Sequence, residues 1–207
     1  MIYLYASVIG YLLGAFPSAF LIAKIFYGIN IFQHGSKNMG STNIYRTLGI
    51  IPFAATLAID VLKGMSAILL TAKLFNSPAA VFVSGFFALF GHTFSFWVKF
   101  KGGKVVATGL GVFLALAINS ALSSLFVFVL ALFTTRMVSV SSVVAAVSLP
   151  CFIGYYNELG SYNIYLTVFA SLVAAFVIYK HKANILRVIK GEESKLSWFG
   201  KTKEVVE

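Results

Sequence analysis

The chain has 207 residues, of which 59% are hydrophobic and 11% charged, with a mean hydropathy of +0.92. That balance excludes an ordinary soluble domain and places the chain among polytopic membrane proteins. The net charge of +10 sits in short loops and the C-terminal stretch rather than on one face of a soluble fold, which argues against nucleic acid and for an anionic lipid surface or an anionic substrate. The lone Cys151 lies in an apolar run, so no disulfide framework exists within the chain. The three histidines are far apart and lack carboxylates at ligand spacing, so neither a metal nor another cofactor is expected.

A membrane-spanning helix needs about 20 mostly apolar residues. Residues 2–27 qualify, with Pro17 predicted to kink the helix and free a backbone carbonyl inside the membrane. The first positive side chain, Lys24, comes near the end of this run instead of before it, so the run does not read as a cleaved signal. Residues 28–49 are rich in Asn, Gly, Ser and Thr and predict a loop followed by a short helix. The next span, 50–74, carries Asp60 and Lys63 on one helix face, to be read as a structural ion pair or as an intramembrane functional pair. A turn near Ser77 and Pro78 leads to a span over 79–98.

Residues 105–118 and 121–135 are apolar but short, compatible with two short spans or a re-entrant pair. Spans over 138–156 and 162–179 follow, and the stretch from Lys180 onward carries seven of the sixteen Lys and Arg residues. The expected fold is therefore an all-α membrane bundle of about seven spans, one domain over 1–207 with 182–207 as a tail. The positive charge lies in loops 28–49, 99–104 and 135–138 and in the tail, which puts the N-terminus outside and the C-terminus in the cytoplasm.

That orientation brings every polar cluster to one side: residues 35–46, 99–108, 136–142 and 180–184. Within them, Lys99, Lys101, Gly102, Gly103 and Lys104 lie in six consecutive positions. Paired glycines let backbone N–H groups approach a ligand, and a lysine directly after them supplies charge, as a phosphate site requires. The other reading is a basic turn that fixes orientation. Hydroxyls, amides, lysines and histidines without a nearby carboxylate suit an anion, and apolar helices around them suit a lipid chain attached to it.

Gly35-Ser36-Lys37-Asn38-Met39-Gly40-Ser41-Thr42-Asn43 resembles the G-S-G-N-x-G-A-T-N motif of the bacterial acyl-phosphate:glycerol-3-phosphate acyltransferases, the PlsY family. The stretch from Gly91 to Thr108 is similar to that family's G-H-x-F-P-x-F-x-x-F-K-G-G-K-G-V-A-T, and Ile59 to Gly64 to its L-D-x-x-K-G. Residues 136–142 and 180–192 resemble its remaining segments. Lys37 and Val105 stand where the motifs have glycine, Ser41 where they have alanine, Ser95 proline and Ala183 glutamate.

The resemblance implies transfer of a fatty acyl group from acyl phosphate to the 1-hydroxyl of sn-glycerol 3-phosphate. The products are lysophosphatidic acid and phosphate, in the first acylation of phospholipid synthesis at the cytoplasmic side of a bacterial inner membrane. It implies these two substrates and membrane lipid as partners, with no obligate protein partner. Ser36, Asn38, Gly40, Thr42 and Asn43 would cradle phosphate, with Gly102, Gly103 and Lys104 at the leaving group. Arg46, Ser142, His181 and Asn184 would orient glycerol 3-phosphate, Ser139 would bind substrate or phosphate, and either His181 or the acyl-phosphate oxygen would take the hydroxyl proton.

The His-x4-Asp pattern of acyl-CoA-dependent enzymes is missing, since Met39, Trp97 and Leu186 occupy the Asp position after the three histidines. A nucleotide P-loop fails because Lys195 stands where its first glycine belongs. A transporter for a phosphorylated solute is the rival from another class; it would place its anion site near the bilayer midplane, between repeated halves, and no repeat is visible.

Overall fold

The computed structural model describes residues 1–196; the end of the expected tail, 197–207, lies outside the described residues. Among the described residues ten α-helices follow one another: α1 Ile2–Ala15, α2 Ser18–Tyr27, α3 Ser41–Leu48, α4 Ile50–Leu74, α5 Pro78–Thr93, α6 Val106–Leu116, α7 Ile118–Thr135, α8 Val138–Tyr156, α9 Asn163–Lys180 and α10 Lys182–Ile189. No strand occurs among the described residues. The contacts divide the chain into two compact units, the first ending at Val112 and the second beginning at Phe113.

In the first unit, Pro17 divides the opening span, as the sequence predicts. A proline has no N–H and excludes the helix from its neighbours, so carbonyls on its N-terminal side lose their helical partners. Side chains from elsewhere take them up: Ser95 donates to the Ala15 carbonyl and Lys63 Nζ to that of Phe16 at 3.0 Å. α1 packs on α5 at backbone contact, and a Cβ at Gly14 would come within 2.0 Å of the Ala88 carbonyl. α4 is 25 residues long, enough for a ~30 Å hydrocarbon core, and α5 starts at Pro78 behind a Ser77 cap. The short α3 is amphipathic, burying Asn43, Ile44 and Thr47.

The second unit is built on α7, α8 and α9. Leu166, Ala170, Ala174 and Val177 form a buried stripe along α9, while Ile164, Tyr165, Val168 and Leu172 of the same helix are exposed. Large apolar side chains on the outside are what a lipid solvent accepts. α7 reaches back to Ile118, further than the apolar pattern predicts, because a distant residue caps it. The Glu158 carboxylate accepts the N–H groups of Asn119 at 2.8 Å and Ser120 at 3.1 Å, and also the Ser120 hydroxyl. A carboxylate on exposed N–H groups at a helix start is favourable twice over, by hydrogen bond and by dipole.

Six helical stretches among the described residues are long and apolar enough to cross a membrane: 2–27, 50–74, 78–98, 118–135, 138–156 and 160–180. α6, with 11 residues, is the one short apolar helix where the sequence predicts two.

Candidate active site

In the first unit, the loop ahead of α3 is tied together by Asn43. Its Oδ1 accepts the Ser36 N–H at 2.8 Å, and its Nδ2 lies 3.3, 3.1 and 3.0 Å from the carbonyls of Ile31, His34 and Asn38. Asn43 is buried and engaged on both ends of its amide. The sequence reading gives it to a phosphate; the structure gives it to the loop. Ser36 is exposed, and Asn38, Gly40, Thr42 and Arg46 are partly so. Thr42 and Arg46, four residues apart, share the face of α3 opposite its buried one. Gly40 begins the helix without a side-chain cap, leaving a start at which N–H groups and dipole favour an anion.

The glycine pair serves a different purpose from the one predicted. The Gly102 N–H is donated to the Thr93 carbonyl at 2.9 Å and that of Gly103 to the His92 carbonyl at 3.1 Å, so neither points to a ligand. What the glycines provide is closeness. A Cβ at Gly102 would lie 2.0 Å from the His92 carbonyl, and one at Gly103 would lie 2.2 Å from His92 Nε2. The pair is pressed onto the end of α5, and partly exposed Lys104 follows directly before α6.

Lys37 and Val105, the two residues that replace motif glycines, both have left-handed backbone, with φ of 55° and 61°. Only glycine takes that conformation freely, which explains the glycine preference and leaves this chain with strain at both positions. Val105, β-branched and fully buried, is the more costly of the two.

Behind the glycine pair lies a buried polar group. Asp60 Oδ1 accepts from Lys63 Nζ at 2.8 Å and from the Ser18 hydroxyl at 2.6 Å, and His92 Nδ1 lies 3.8 Å away. The Asp60–Lys63 ion pair is observed; Ser18 donates into it and His92 lies beside it, two residues that sequence spacing does not connect.

The second unit carries Ser139, Ser142, His181 and Asn184, all buried. Glu193, which the sequence reading passes over, links two of them. Its Oε1 accepts from Ser139 and Asn184, each at 2.7 Å, and its Oε2 from Arg187 at 2.8 Å. Burial alone would raise its pKa; the hydrogen bonds from Asn184, Ser139 and Arg187 and the charge of Arg187 outweigh that and hold it below the usual carboxylate range. The expectation of a carboxylate-free cluster is thus corrected. One of two adjacent glutamates in a basic stretch looks like a solvated charge until the fold brings three donors to it.

His181 Nδ1 lies 2.8 Å from the Val177 carbonyl. A carbonyl only accepts, so Nδ1 carries the hydrogen and a neutral ring has its lone pair on Nε2. Ser142 donates to the Val138 carbonyl at 2.7 Å, one turn back on its own helix.

A family model for glycerol-3-phosphate acyltransferase matches residues 4–191. The chain belongs to the glycerol-3-phosphate acyltransferase family. It is 41% identical over 186 residues to a family member from Desulforamulus reducens, covering 90% of this chain and 91% of that one. It is likewise 41% identical over 191 residues to one from Fusobacterium nucleatum, covering 92% and 96%. Among solved structures it is similar to PlsY (YgiH), an integral membrane glycerol 3-phosphate acyltransferase, in its glycerol 3-phosphate form. That match has a TM-score of 0.86 at 32% identity over 94% of this chain and 96% of that one. The lysophosphatidic acid form of PlsY matches with a TM-score of 0.83 at 31% identity, over 94% and 95%. The chain is accordingly a multi-pass membrane protein of an acyltransferase family, and the transporter reading falls away.

Proposed function

We propose that this protein transfers a fatty acyl group from acyl phosphate to the 1-hydroxyl of sn-glycerol 3-phosphate. The observation that carries the reading is family membership over almost the whole length, since a relative named for this acceptor aligns over 90% of this chain and 91% of its own. The donor is argued from this chain's own residues: cationic and hydroxyl side chains suit a phosphate leaving group, and the His-x4-Asp pattern used with acyl-CoA is missing.

In the step itself, the C1 oxygen of glycerol 3-phosphate attacks the acyl carbonyl carbon. The bond from that carbon to the phosphate oxygen breaks, and the phosphate leaves with the electron pair. Lys104 offsets the charge that grows on the phosphate, assisted by Ser36, Asn38 and Thr42. Arg46 holds the acceptor's phosphate by its planar fork. His181 takes the hydroxyl proton at Nε2, the nitrogen that its Val177 bond leaves with a lone pair. Glu193 holds Ser139 and Asn184 on one carboxylate oxygen, and Asn184 lies three residues after His181. The reacting face is cytoplasmic, with the N-terminus outside.

The test is phosphate release by the purified protein with palmitoyl phosphate, with and without glycerol 3-phosphate, and palmitoyl-CoA as control. Release that requires both substrates and yields lysophosphatidic acid is expected. Turnover with palmitoyl-CoA in place of the acyl phosphate would overturn the donor assignment.

A further inference from the structure

Lys104 follows a loop with little freedom of its own. The loop is held to the end of α5 by two main-chain hydrogen bonds, and its bare backbone at Gly103 rests on the His92 ring. On the far side, the first turn of α6 is packed on α4, where a Cβ at Gly64 would lie 2.2 Å from the Thr108 carbonyl. The backbone on either side of Lys104 is thus held, by the end of α5 before it and by α4 after it.

That ring is buried beside a charged group, with its Nδ1 beyond hydrogen-bond distance of the carboxylate. Its Nδ1 lies 3.8 Å from Asp60, Asp60 is fixed by Lys63 and Ser18, and Lys63 is fixed by the carbonyl that the Pro17 break leaves open. Burying a carboxylate and an ammonium is expensive even when they pair, and an apolar filling of the same volume would serve stability as well or better. What the group does supply is a fixed geometry, because each of its polar atoms binds only in one arrangement.

We propose that Asp60 and His92 are positioning residues for the known family reaction. The buried row from the Pro17 break through Asp60 to His92 sets the height of the Gly102–Lys104 loop, and so the place of the Lys104 ammonium. The inference rests on reading Lys104 as the charge that meets the leaving phosphate. A displacement of one ångström at a reacting group is enough to cost about a hundredfold in rate.

His92→Phe fills the ring's volume without its nitrogens, and His92→Asn keeps an amide nitrogen near the Nδ1 position. The expected result for His92→Phe is a kcat at least tenfold lower, with KM for glycerol 3-phosphate within about twofold and the thermal midpoint nearly unchanged; His92→Asn recovers part of the rate. In parallel, the rate at which an amine-reactive reagent labels Lys104, read by mass spectrometry, should change severalfold in His92→Phe. A His92→Phe protein with wild-type kcat and wild-type Lys104 labelling would overturn the proposal. So would losses in both variants that merely follow the folded fraction.

Gly103→Ala supplies a second line, because it drives the loop off the ring from the other side. Its loss of kcat should shrink at least threefold when His92 is also Ala, and strict additivity would count against the proposal. If the wild type makes no lysophosphatidic acid, the reaction assigned above fails, while the labelling comparison still decides whether His92 sets Lys104.

Discussion

At the scale of single residues, the two glycine replacements should respond differently to being reversed. Lys37 is exposed and strained, so Lys37→Gly relieves a left-handed backbone and loses no packing. A net gain of about 0.5 kcal/mol is expected after the entropy that glycine adds to the unfolded chain. Val105 is equally strained but fully buried, and the side chain it would lose contributes roughly 2 kcal/mol of burial, so Val105→Gly should lower stability by about 1 kcal/mol. Thermal unfolding of both variants in one detergent checks the contrast. His181→Ala should reduce kcat by about 10²- to 10⁴-fold, the range for a general base, with the protein still folded. A reduction below threefold would move the proton to the donor's phosphate oxygen.

Glu193 gives a prediction in pH. Its folded-state pKa is depressed, so its contribution to stability is complete above the ordinary carboxylate range and disappears as pH falls through the lower, folded value. Glu193→Gln should flatten the acid side of a thermal-midpoint profile measured between pH 3 and 7, and leave the neutral side parallel to wild type. The residue types proposed for the site come from hydroxyls, amides and cations that visibly cluster along the sequence. Their division of labour is not legible there. Asn43 and Gly103 look like ligand contacts in one dimension, and only the hydrogen bonds to Ser36, Ile31, His34 and Asn38, or the approach of the His92 ring, show them as supports.

At the scale of elements, the sequence located helices wherever the apolar run was bounded by local signals. The span over 138–156 agrees with α8 at both ends, with Arg136 before it and Asn157 after it in left-handed conformations that stop the neighbouring turns. It misjudged α7, whose start depends on Glu158, 38 positions beyond Ser120. Removing that distant cap with Glu158→Ala should cost about 1 to 2 kcal/mol, the usual range for a lost helix cap, visible as a lower unfolding midpoint. Glu158→Gln, which keeps an acceptor oxygen and gives up the charge, should lose less.

For the whole molecule, the membrane class follows from composition alone, and the family follows from motifs that run the length of the chain. Orientation is the property that charge counting predicts and that topology chemistry tests. With Cys151→Ser as background, a single cysteine at Ser77 should react with an impermeant maleimide on intact cells, and one at Lys37 only after permeabilisation. The reverse pattern would invert the protein and move the proposed reacting face to the outside.

The break at Pro17 bears on how this protein is made. A helix such as α4, entering a bilayer with Asp60 and Lys63 side by side, meets an insertion penalty of about 2.5 to 3.5 kcal/mol for each charge near its centre. Synthesis runs from the N-terminus, so the Phe16 carbonyl and the Ser18 hydroxyl are already in the membrane when those two charges emerge. His92 and Ser95 arrive later and close the group. The first span therefore carries the polar partners that the second needs, and replacing it with a generic leucine anchor should lower the membrane-inserted yield of α4, read by protease protection.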